Sequence, residues 1–113
     1  MNIKNYGLAL AMGGALLFAP GLAFADERLA QATTHMGDAV MQGKILHDAT
    51  MLAMQASLAL EDAQGIQKEK PNAHIEEAIV HIKAAIDEGR ANHLDAALKH
   101  SEEAVTHLKE AAK

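Results

Sequence analysis

In the second half of the chain imidazoles recur every seven residues, and that step leaves few choices of fold. His74 and His81 form one run; after Gly89 the series resumes as His93, His100 and His107. Seven residues are two turns of α-helix, so each run lines one side of a helix rather than one face of a strand. Apolar residues keep the same period: Ile75, Ala78, Ile79, Ile82, Ala85 and Ile86 before the break, Leu94, Ala97, Leu98, Ala104, Val105 and Leu108 after it. Two stripes of histidine therefore flank two apolar seams, joined by a turn around residues 90 and 91.

The rest of the chain is read by the same rule. Met1 to Asn5 carry one positive charge, Leu8 to Leu22 are apolar or small, and Ala23-Phe24-Ala25 has the small-x-small form of a cleavage site. This is the pattern of a secretory signal peptide spanning residues 1–25, with an apolar stretch too short for a membrane span. Cleavage leaves residues 26–113, a single small domain with no stable membrane insertion. Hairpin one is expected over 26–64: helix 1 opens at Asp26-Glu27 and runs to about Gln42, and helix 2 runs from about Leu46 to Gln64. Gly65 to Lys70 reads as the connection, Asn72 as the cap of helix 3, Gly89 as its end, and helix 4 begins near His93. Hairpin two is thus expected over 71–113. The halves repeat at an offset of 46 residues, with His35 on His81, Gly43 on Gly89, Lys44 on Arg90, His47 on His93 and Leu52 on Leu98. No strand pattern appears, so the fold class is all-α: an antiparallel four-helix bundle built from two helical hairpins.

Composition matters mainly for what it excludes. Fifteen Asp and Glu outweigh ten Lys and Arg, and Tyr6, Phe18 and Phe24, the chain's aromatic residues, all lie in the leader. An acidic domain without aromatic rings is no nucleic-acid binder, which needs basic and stacking surfaces. Cysteine is absent, which rules out a closed thiolate zinc cage and the C-x-x-C-H attachment of haem. No nucleophile–base arrangement, paired-carboxylate pocket or nucleotide loop is evident, so an enzyme is not expected.

In heptad terms His74, His81 and Glu88 share the g position of helix 3, and His93, His100 and His107 share it on helix 4. Across an antiparallel turn g lies beside g, which predicts three rungs: His74 with His107, His81 with His100, and Glu88 with His93. Successive rungs stand about 10.5 Å apart. Paired neutral imidazoles suit Cu(II), Ni(II) or Zn(II), and Glu77, Glu103 and Glu110, three or four positions from a histidine, offer added hard ligands. The same construction in hairpin one pairs Arg28 with Glu61, His35 with Met54, and Gln42 with His47. His35 and His47 thereby join the candidate metal ligands as the weaker members. The competing reading is a non-metal interaction or chaperone-like bundle whose surface histidines titrate near pH 6.

The stretch His93-Leu94-Asp95-Ala96-Ala97-Leu98-Lys99-His100-Ser101-Glu102-Glu103-Ala104-Val105-Thr106-His107 closely resembles the repeated helix of the periplasmic small metal-binding proteins. The likeness extends through His81-Ile82-Lys83-Ala84-Ala85-Ile86-Asp87-Glu88-Gly89 and, more faintly, Asp38 to Lys44. The resemblance implies an exported four-helix bundle that binds several divalent metals, copper prominently, in a buffering or scavenging role. That family carries more histidines; here Met54 and Glu61 stand where the pattern would place them after His47. The sequence names no metal-delivery partner.

Overall fold

The computed structural model describes residues 20–113, with side chains from Glu27 onward. The leader expected over residues 1–25 falls mostly outside the described residues. Four helices follow in order: α1 (Pro20–Lys44), α2 (Ala49–Glu69), α3 (Ala73–Arg90) and α4 (Leu94–Ala111). Each packs against its chain neighbours, α1 also closes against α4, and short turns make consecutive helices antiparallel. The all-α four-helix bundle read from the sequence is the fold observed.

Local chemistry sets the helix starts. Asn72 stands in extended conformation and its side-chain oxygen accepts hydrogen bonds from the backbone of His74 (2.7 Å) and Ile75 (3.3 Å), a helix cap as expected. Asp48 does the same for α2, accepting from Met51 N at 2.9 Å. That cap overturns the expected start at Leu46, which lies instead in the exposed turn with Ile45. Helix α1 differs as well: it is already helical at Pro20, a residue suited to a first helical position, rather than opening at Asp26-Glu27.

Two glycines expected to break helices do not. Gly65 lies inside α2, which continues to Glu69 because Ile66 buries a full apolar side chain one residue later. Gly89 lies inside α3, where a Cβ would stand 2.9 Å from Ala49 O and 3.0 Å from Ala53 Cβ. Its role is to let the start of α2 approach α3, not to end a helix.

The interior is largely alanine. Of nineteen buried apolar residues among those described, eleven are Ala, with Met36, Leu52, Ile75, Ile82 and Leu108 as the large fully buried side chains. Small side chains bring the helices close but remove little apolar surface each, at about 0.8 kcal/mol per CH₂. Ser101 is the buried polar residue, and its hydroxyl donates to Ala97 O at 2.8 Å within its own helix.

Burial also corrects the repeat. Leu29, Ala32, Met36 and Ala39 of α1 match Ile75, Ala78, Ile82 and Ala85 of α3 at the expected 46 residues. In the second helix of each hairpin, however, Leu52, Ala56, Ala59 and Ala63 match Ala97, Ser101, Ala104 and Leu108, an offset of 45. The first turn spans residues 45–48 and the second 91–93, so the first is one residue longer. His47 therefore corresponds to Asn92, not His93, and both take left-handed backbone angles, φ 54° and 63°.

Candidate metal centre

The second hairpin brings its histidines together as the heptads require. Because α3 and α4 face each other through Ile75, Ile82, Ala97 and Ala104, the flanking positions meet along one edge of that seam. At the middle rung His81 Nδ1 and His100 Nδ1 are 3.1 Å apart, with ring centroids 5.3 Å apart. The upper rung is a stack of His74 on His107 at 6.1 Å, and the lower is a contact of His93 Nδ1 with Glu88 Oε1 at 2.8 Å.

The middle rung gains a third donor. Glu103, one turn beyond His100 on α4, places Oε1 3.2 Å from His81 Nδ1 and 3.6 Å from His100 Nδ1. Among the described residues this is the one group of three such side chains whose ligand atoms converge within 4.8 Å. Ligands about 2.0–2.2 Å from a tetrahedral ion lie roughly 3.3 Å from one another. The observed triangle of 3.1, 3.2 and 3.6 Å fits that spacing. All three atoms can offer lone pairs, and shared protons satisfy them only in part; a divalent cation would satisfy all three at once. The side chains are 24%, 33% and 43% exposed, so one side of the group stays open to water. Two imidazoles and one carboxylate form an open donor set of the type that suits first-row divalent ions.

The carboxylates of the edge sort differently. Glu77 Oε1 lies 3.4 Å from His107 Nε2, whereas Glu110 turns away to pair with Lys113 at 3.2 Å. His93 and Glu88 meet at the turn but supply only two donors, with His93 67% exposed.

The first hairpin departs from its expected pairs. Arg28 reaches Glu69 instead of Glu61, its guanidinium lying against Gly65 where no side chain intervenes. His35 Nδ1 faces Gln55 Oε1 at 3.4 Å and its Nε2 lies 4.0 Å from Asp62 Oδ2. Met54, its expected partner, is 55% exposed on the outer surface. His47 sits in the exposed turn, and it is Asp48 whose amide donates to Gln42 O at 3.0 Å. The extra turn residue rotates every position of α2 by about 100° relative to the expected register, replacing Met54 by Gln55 and Glu61 by Asp62. Burial pushes the Asp62 carboxyl above its ordinary pKa; His35 and Arg28 pull it down, and Glu61 raises it further. The Asp48 cap, with the shape Asp-x-x-Met before an apolar run, was the sequence signal that would have placed this register.

No curated protein sequence matches the chain. A family model described as "Small metal-binding protein" matches residues 4–111, and with that match over nearly its whole length the chain belongs to the small metal-binding protein family.

Proposed function

We propose that this protein binds divalent transition-metal ions reversibly in the periplasm, as a buffer or scavenger, after export on its leader. The observation that carries the reading is the convergence of His81 Nδ1, His100 Nδ1 and Glu103 Oε1 on one edge of the second hairpin. Family membership supports metal binding in general. Cu(II) is the preferred ion, because nitrogen ligands hold it most tightly in the first-row series, with Ni(II) and Zn(II) bound more weakly. His74, His107, His93 and Glu88 extend the same edge as further ligands. His35 and His47 fall outside it. The role is storage rather than catalysis. The leader motif supports export, and no helix among the described residues is long and apolar enough to cross a membrane.

A ligand imidazole must be free of its extra proton to hold the ion, so protons compete with the metal and acidification lowers affinity. Calorimetric titration with Cu(II), Ni(II) and Zn(II), run beside a His81→Ala/His100→Ala variant, tests the reading. Loss of the tightest equivalent in the variant is the expected result. Equal heats from both proteins would remove the middle rung as the site. Heats that depend on pH but not on metal would favour the interaction bundle instead.

A further inference from the structure

The second hairpin carries one donor pattern twice. On α4, His100 and Glu103 lie three residues apart, and α3 completes the set with His81. On α3, His74 and Glu77 have the same spacing, and α4 supplies His107, whose Nε2 is 3.4 Å from Glu77 Oε1 and whose ring stacks on His74. Each set holds two imidazoles and a carboxylate, with the spaced pair coming from opposite helices.

The sets adjoin through one ring of each. His81 and His107 are parallel, 8° between planes and 5.5 Å between centroids. Four imidazoles therefore run without a gap, His74 to His107 to His81 to His100, with no neighbouring centroids more than 6.1 Å apart. The buried Nδ1 of His107 makes no hydrogen bond among the described residues. The sets differ in closure. The donors of the middle set already converge, whereas those of the outer set do not, and Glu77 is 63% exposed against 43% for Glu103.

We infer that His74, Glu77 and His107 form an exchange site through which an ion enters and leaves the His81/His100/Glu103 set. The inference rests on the metal-binding reading above. An ion leaving three ligands unaided must pass through under-coordinated states. A neighbouring donor set offers a replacement ligand as each bond breaks, and exposed side chains change rotamer in nanoseconds or less. Exit is thereby divided into small steps, with no ligand changing its charge and no redox step. The open carboxylate of Glu77 holds the dication at the wet end. At unchanged affinity the same steps must speed entry and exit alike, which is the exchange property a reversible buffer needs.

The test is stopped-flow transfer of Zn(II), one equivalent per protein, to the chromogenic chelator 4-(2-pyridylazo)resorcinol. His107→Gln is expected to keep the affinity of the first equivalent within about twofold and to slow release roughly tenfold, the scale on which auxiliary ligands act. Glu77→Gln, at an exposed position that leaves the fold intact, is expected to slow release in the same direction by less. Both should lose any weaker second equivalent, and far-ultraviolet circular dichroism checks that helicity is unchanged. Unaltered release from His107→Gln with the second equivalent lost would mean two independent sites and overturn the inference. A tenfold or greater fall in first-equivalent affinity would make His107 a ligand of the middle set and overturn it equally. Failure of the unaltered protein to bind any of the three ions in the calorimetry above is a separate result, and sinks the metal reading itself.

Discussion

The two hairpins share one scaffold and differ in what they place at its edge. Along α3 and α4 the edge reads His74, His81, Glu88 and His93, His100, His107; the corresponding positions of α1 and α2 hold Arg28, His35, Gln42 and Asp48, Gln55, Asp62. The arrangement of the contacts is conserved between them: His35 faces Gln55 as His81 faces His100, and Asp48 N donates to Gln42 O as His93 N donates to Glu88 O. The charge is what differs. In the first hairpin Arg28 brings a permanent cation to the edge, held against Gly65 and paired with Glu69. In the second, lone pairs of imidazole and carboxylate converge with no fixed cation among them. One hairpin is compensated from within, and in the other, under the proposed function, the cation comes from solution.

The largest expected effect follows from that asymmetry. An ion that binds only the folded state stabilises it by about 2.7 kcal/mol when its free concentration is a hundredfold above Kd. For a domain of this size that raises Tm by roughly 10–20 °C. Thermal unfolding with and without Zn(II) or Ni(II) should show this shift in the unaltered protein and in His35→Ala, and lose it in His81→Ala/His100→Ala. A shift reduced in His35→Ala would mean that the first hairpin also holds an ion. The alanine core makes the effect consequential, since total stability in such domains is only about 5–15 kcal/mol.

Next in size is a contrast between two glycines at equivalent positions. Gly89 faces the backbone oxygen of Ala49 at 2.9 Å from an added Cβ, whereas Gly43 faces the side-chain tips of Leu52 and Leu98 at 2.9 and 3.2 Å. Leucine tips can move and a helix backbone cannot do so cheaply. Gly89→Ala should therefore destabilise by about 1–3 kcal/mol. Gly43→Ala should be close to neutral, because helix propensity returns up to about 1 kcal/mol. Equal losses in urea unfolding would show that the two turns pack alike.

These glycines also mark where sequence reasoning reached and where it stopped. The bundle, the Asn72 cap and all three contacts of the second hairpin were legible, because Ile75, Ile82 and Leu108 keep a strict apolar period and the turn at residues 91–93 lies where the pattern breaks. Glu103 was legible only as a carboxylate within reach; that it closes a three-donor group while Glu77 and Glu110 do not is settled by side-chain placement. The first hairpin departs from its expected register by one residue. Glycine does not act as punctuation at Gly65, where packing of Ile66 overrides it, and α2 starts from the Asp48 cap rather than at Leu46. On a helix a one-residue shift exchanges an edge position for an exposed one, which is why Gln55 and not Met54 faces His35.

That register is itself testable by gain of function. Gln55→His places an imidazole opposite His35 beside the Asp62 carboxylate, recreating the donor types of the second hairpin. Calorimetry should then find one additional equivalent, weaker than the first because Arg28 remains nearby. At a free ion concentration ten times its Kd it would add about 1.4 kcal/mol of stability. Met54→His, one residue away on the exposed face, should add none. Extra binding from Met54→His and not from Gln55→His would restore the register first read from the sequence.

The smallest expected effect isolates the charge of Asp62. Its carboxyl has a raised pKa in the fold, chiefly through burial, so the folded state holds the proton more tightly than the unfolded chain does. Stability contributed by such a group falls as pH rises through the window between its unfolded and folded values, and stays reduced above it. The ionised carboxylate is thus a net cost at neutral pH, despite His35 and Arg28. Asp62→Asn should raise Tm slightly at pH 7 without metal, and the gain should vanish once acidification protonates Asp62 in both states. A loss of Tm at pH 7 would instead mean that the contacts with His35 and Arg28 outweigh burial. The first hairpin would then be held by its ion pairs at the edge, as a bound ion would hold the second under the proposed function.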